Sequence, residues 1–208
     1  MKEALVEGIG TFFLVLVIGL MLLPPGAGVL APVAIGAVLT AMVYAGGHIS
    51  GAHYNPAVTL AVWLRGGLEA ARVPRYMGAQ TVGAILAATV VRICKLDSVV
   101  LPGNPDPTAA LLVELVFTFA LAFVVLNVAT SKKTAGNSYY GIAIGFTVMA
   151  AAYAAGNISG GAFNPAVAIG ITLLGLSSVN NFWIFVVANL VGGALAAVVF
   201  RAVNPHEK

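Results

Sequence analysis

Two short stretches of this chain hold the residues able to handle a polar molecule inside apolar surroundings. His48-Ile49-Ser50-Gly51-Ala52-His53-Tyr54-Asn55-Pro56-Ala57-Val58 returns 109 residues later as Asn157-Ile158-Ser159-Gly160-Gly161-Ala162-Phe163-Asn164-Pro165-Ala166-Val167, with seven of the eleven positions identical. Pro suits the first turn of a helix, where its missing N–H forfeits no intrahelical bond, and Asn is a favoured cap just ahead of it. Each motif therefore predicts a short helix, Pro56 to about Leu64 and Pro165 to about Leu174, capped by Asn55 and Asn164. Capping uses the side-chain oxygen. The amide nitrogens stay free to donate to a passing neutral molecule, and the irregular stretch before each Asn exposes backbone carbonyls.

The elements that must position these motifs follow from composition. Hydrophobic residues make up 60% of the 208 residues and charged residues 8%, with a mean hydropathy of +1.00. Soluble domains carry about 25% charged residues, so the chain reads as an integral membrane protein with no room for a soluble domain. A helix needs about 20 apolar residues to cross the hydrocarbon core. Apolar runs predict spans at 4–23, 32–47, 76–94, 109–130, 139–156 and 181–201, with the motifs between spans two and three and between five and six. The first run has no small-residue cleavage site and is read as a span rather than a removed signal peptide.

The 109-residue offset reaches well beyond the motif. Ala34-Ile35-Gly36 matches Ala143-Ile144-Gly145, and Tyr44, Gln80, Gly83 and Arg92 match Tyr153, Asn189, Gly192 and Arg201. The whole chain, 1–208, is thus one transmembrane domain built from repeats of about 1–96 and 109–205. Three spans per repeat is odd, so the second copy enters from the opposite face and the motifs meet near the midplane. Two half-helices meeting there place both positive dipole ends, about half a charge each, at one point that repels cations. The expected fold is all-α: six transmembrane helices plus two re-entrant half-helices in an inverted repeat.

Lys2, Arg65, Arg72, Arg75, Lys132, Lys133, Arg201 and Lys208 fall on one side of this topology, and Arg92 and Lys95 on the other. Basic residues mark the cytoplasmic side, so both termini are expected inside and the 95–108 loop outside, with a cell inner membrane as location. Glu7 and Glu114 occupy matching places in the first span of each repeat, each followed four residues later by Thr11 or Thr118. Ionisable groups at that depth are functional by default. With no Asp, His or Lys partner in the spans they make a poor proton relay, and are expected to accept N–H bonds from a pore loop and hold it. His48 and His53 flank the first motif; ordinary backbone hydrogen bonding is favoured over a pH gate. Gln80 and Asn189 read as polar glue between spans, and Gly83, Gly192 and Gly193 as points of close helix approach. Cys94 is alone, so no internal disulfide forms. No nucleophile with a base, metal-ligand cluster or phosphate loop is present, which excludes an enzyme reading and leaves no cofactor, metal or nucleic-acid partner to expect.

The paired Asn-Pro-Ala motif, within nearly the whole chain, resembles the signature of the aquaporins, or major intrinsic proteins. That resemblance implies a homotetramer of six-span protomers in the lipid bilayer, each with its own pore for water or small neutral solutes. It places Asn55 and Asn164 at the pore centre. The carbonyls of Gly51, Ala52, His53, Tyr54, Gly160, Gly161, Ala162 and Phe163 would form a ladder along the pore. At the narrowest point, water-selective members carry an aromatic residue, a His, a small residue and an Arg. Here the matching positions hold Ile35, Ala152, Gly161 and Val167. The ring is apolar and lacks the Arg, as in some plant vacuolar-membrane aquaporins. Broadened selectivity toward ammonia, hydrogen peroxide, urea or neutral metalloid acids is implied. Glycerol facilitators resemble the chain less, since they usually keep the Arg and are longer. The alternative is a secondary transporter, because inverted repeats with broken helices also build carriers.

Overall fold

The computed structural model describes residues 1–207; Lys208, counted above among the basic residues, lies outside them. Eight α-helices follow in order: α1 Lys2–Leu22, α2 Ala31–Ser50, α3 Pro56–Leu64, α4 Val73–Cys94, α5 Pro107–Val125, α6 Tyr140–Ser159, α7 Pro165–Leu173 and α8 Phe182–Val203. Helix α5 continues through a π turn at Leu126–Thr130. Six of these segments are long and apolar enough to cross a membrane, while α3 and α7, nine residues each, are not. Span ends differ from the expected ones by up to three residues, most at α2, α4 and α6, where a 3₁₀ turn or the Gly cap sets the boundary. No sequence periodicity marks such ends.

The fold is an inverted repeat of three spans plus a half-helix. Within the repeats α1 packs on α4 and α5 on α8, and α2 and α6 close the seam between halves. Each half-helix also crosses over: α3 lies against α8, and α7 against α4. Glycine makes these approaches possible. A Cβ at Gly36 would lie 2.8 Å from the Gly145 carbonyl oxygen across the α2–α6 seam, and one at Gly193 would run into the Ala57 backbone of α3. Outer faces carry Leu5, Ile9, Phe13, Ile85, Leu112 and Val198 in exposed positions, which in a membrane protein face lipid or another subunit.

Candidate functional site

Both long helices that precede a motif end the same way. Gly51 and Gly160 take left-handed φ values of 88° and 99° as C-caps of α2 and α6, turning the chain back toward the molecule's centre. Four residues on, Asn55 and Asn164 start α3 and α7, their side-chain oxygens accepting from the N–H of Ala57 and Val58 and of Ala166 and Val167. Between turn and cap, Tyr54 and Phe163 sit at φ 49° and 47°. A side chain in that region costs about 1–3 kcal/mol and persists only where neighbours hold it.

What holds them is a buried carboxylate in each half. Glu7 accepts from Ser50 Oγ (2.7 Å), His53 N (2.9 Å), Tyr54 N (2.6 Å) and Gln80 Nε2 (2.8 Å). Glu114 accepts from Ser159 Oγ (2.7 Å), Ala162 N (2.9 Å), Phe163 N (2.7 Å) and Asn189 Nδ2 (2.8 Å). Both glutamates are fully buried, and four donors each is about what a carboxylate's lone pairs can take. Gln80 and Asn189 do more than join spans, because each spends one amide proton on the carboxylate that fixes a loop. The other proton goes to Thr59 Oγ1 from Gln80 and to Thr118 Oγ1 from Asn189, so here the two halves differ. Thr59 also donates to the Asn55 carbonyl and lies 3.2 Å from His53 Nδ1. His53 therefore packs inside the loop, beside Tyr76.

The two loops also bind each other. Asn55 Nδ2 donates to the Phe163 carbonyl and Asn164 Nδ2 to the Tyr54 carbonyl, both at 2.9 Å. This corrects the expectation that the amides are wholly free: one proton of each is committed across the centre, and one remains. The carbonyls of Tyr54 and Phe163 each keep a single unused lone pair.

A cavity of about 570 Å³ runs to this crossing. Ile35, Ala152, Gly161 and Val167, drawn from α2, α6, the second loop and α7, all line it together with Asn55 and Asn164. His53, Tyr54, Gly160 and Ala162 line it as well, whereas Gly51, Ala52 and Phe163 are not among its lining residues. Most of the remaining wall is aliphatic: Leu14, Ile18, Leu39, Val125, Ile144 and Ile171. Sequence reasoning missed Asn157 and Tyr153, which α6 brings to the same wall. Helical spacing was the available signal, since Tyr153 and Asn157, four positions apart, share one face, as do Ala152 and Gly156.

Half-helices that meet cap to cap beside a cavity, within six spans, define a membrane channel fold. The major intrinsic protein family model matches residues 1–200, and the chain belongs to that family. It is 36% identical over 214 residues to aquaporin NIP1-4 of Oryza sativa subsp. japonica, covering 98% of this chain and 77% of the relative. It is 34% identical to glycerol uptake facilitator protein-like 6 of Lactiplantibacillus plantarum over the full length of both proteins. Length thus does not set this chain apart from a protein of that name, contrary to the expectation above. The aquaglyceroporin structure from Plasmodium falciparum superposes with a TM-score of 0.83 at 20% identity, covering 99% of this chain and 98% of that one. The protein is an integral, multi-pass membrane protein and a passive channel, not an enzyme or a carrier.

Proposed function

We propose that the chain conducts water together with small neutral solutes, and that Ile35, Ala152, Gly161 and Val167 form its selectivity filter. The observation that carries this reading is that four residues from four separate elements line one cavity with the Asn55–Asn164 pair. None of the four offers a charged or donating side chain. An arginine and a histidine would narrow such a ring and supply fixed donors; without them it is wider and discriminates less by size. The candidates are ammonia, hydrogen peroxide, urea and neutral metalloid acids. Glycerol joins them, given the names of the bacterial relative and of the aquaglyceroporin. Carbonyls of His53, Tyr54, Gly160, Gly161 and Ala162, which line the cavity, serve as the acceptor ladder, and Glu7 and Glu114 hold the two loops in place.

The protein works as a homotetramer in a cell's inner membrane, with both termini and the loop at Lys132 and Lys133 on the cytoplasmic side. The basic-residue bias supports that orientation. Stopped-flow measurements on proteoliposomes test the function. Osmotic water permeability well above that of empty vesicles, with linear, non-saturating uptake of urea or glycerol, is expected. Vesicles that swell no faster than protein-free controls overturn the reading.

A further inference from the structure

Six side chains with polar groups line the cavity: His53, Tyr54, Asn55, Tyr153, Asn157 and Asn164. Five of them each make at least one hydrogen bond within the protein. His53 is paired with Thr59, the Tyr54 hydroxyl donates 2.8 Å to the Met42 carbonyl, and the Tyr153 hydroxyl donates 2.7 Å to the Val29 carbonyl. Asn55 and Asn164 cap their helices and cross to the opposite loop. Among the described residues, Asn157 is the one member of the set whose side chain makes no hydrogen bond to the protein, and it is exposed, so its amide is open to whatever enters the cavity. Its counterpart in the first repeat, His48, does not line the cavity, as follows from an inverted repeat that puts the end of α2 on the opposite side from the end of α6.

Asn157 stands on α6 one turn before Gly161, a member of the proposed filter, and one turn after Tyr153. Leu22, Val29 and Leu176, which other segments bring to the same cavity, have side chains that can replace none of the water that a polar solute sheds. We propose that Asn157 is the side chain that reads solutes at the approach to the filter. Its amide donates to and accepts from small neutral molecules that carry both kinds of group, namely polyols and amides. This rests on the channel reading above. Water needs the contact less, because it is small enough to keep partners among its own kind until it reaches the central asparagines. Ammonia and peroxide offer too little surface to depend on a single lateral amide.

The experiment compares water, glycerol and urea permeability in proteoliposomes of the unmodified protein, Asn157→Leu and Asn157→Ala. Leu keeps the branched four-atom skeleton at a somewhat larger volume and removes the amide, whereas Ala removes the amide and opens space. Loss of one hydrogen-bonding partner should lower glycerol and urea permeability about fivefold in both variants. Water permeability, which also reports correct folding, should stay within about twofold. A ratio of solute to water unchanged in Asn157→Leu, or raised in Asn157→Ala, shows that Asn157 acts only through its bulk and overturns the proposal. An unmodified protein that passes water but neither glycerol nor urea overturns it too and leaves the channel standing. If the protein passes neither water nor solute, the channel reading itself fails and this one with it.

Discussion

At the scale of single residues, the proposed filter and the asparagine pair give separable expectations. Val167 is 2% and Ile35 6% exposed, so the ring is bounded by packed side chains rather than by loose ones. Changing Ala152→His together with Val167→Arg should narrow it and add a charge. Urea and glycerol flux should then fall about tenfold, equivalent to about 1.4 kcal/mol, while water flux falls much less. An equal loss for all three, measured by stopped flow on folded protein, would move the filter elsewhere. Asn164→Leu removes a cap and a cross-loop bond at once. A cap alone is worth about 1 kcal/mol. The variant should lose thermal stability in detergent as well as water permeability, and retention of both would refute its assigned place.

At the scale of elements, the question is what keeps strained loops in position. Tyr54 and Phe163 hold their left-handed backbone because a carboxylate takes their N–H groups. Hydrogen bonds to a charged group contribute about 1.5–3 kcal/mol each. Glu114→Gln turns one acceptor into a donor facing other donors, and should destabilise the protein by about 3 kcal/mol, read as a lowered unfolding temperature. The same substitution at Glu7 should act alike, since its four partners match.

A second tie joins the end of α8 to the loop after α5. Glu207 accepts from Ser131 Oγ, from Lys132 N at 3.0 Å and from Lys133 N at 3.4 Å, with Arg65 nearby. The Ser131 hydroxyl first, then the Lys132 and Lys133 amides and the Arg65 charge, hold its carboxyl below the usual carboxylate range. A depressed folded value means the tie is present above the ordinary glutamate pKa and is lost as pH falls through the lower one. Hydrogen-exchange protection of the Lys132 amide should therefore disappear in acid, while the Lys133 amide keeps its bond to Ser131 Oγ at 3.2 Å. Protection of Lys132 should also disappear at neutral pH in Glu207→Leu, which has no acceptor, and persistence there would show that the tail does not hold the loop.

At the scale of the whole molecule, ion exclusion sets two effects against each other. An apolar ring without Arg removes one positive barrier, yet α3 and α7 still point their N-termini at the same centre, where Asn55 and Asn164 cross. Dehydration of an ion against aliphatic walls costs far more than a neutral solute loses, and two dipole ends add repulsion for cations. Planar-bilayer recordings and a pH-dye liposome assay should find no cation or proton current above background. A robust current through the unmodified protein would show that paired dipoles and a dry ring are insufficient.

Much of this protein is local chemistry written into adjacent residues. Run length gives the spans, Asn before Pro gives the two short helices, and the odd number of spans in each repeat gives their inversion. Those features need only neighbours along the chain, or the bilayer's thickness, to be decided. Pairings between segments about a hundred residues apart are a different matter, because no one-dimensional pattern records which lone pair meets which proton. Tertiary structure alone decided that each central asparagine spends a proton on the opposite loop, and that Gln80 reaches Thr59 while Asn189 reaches Thr118. It also decided that Asn157, the first residue of the second motif, is left facing the cavity without a partner, since that depends on how α6 packs against α2 and α5.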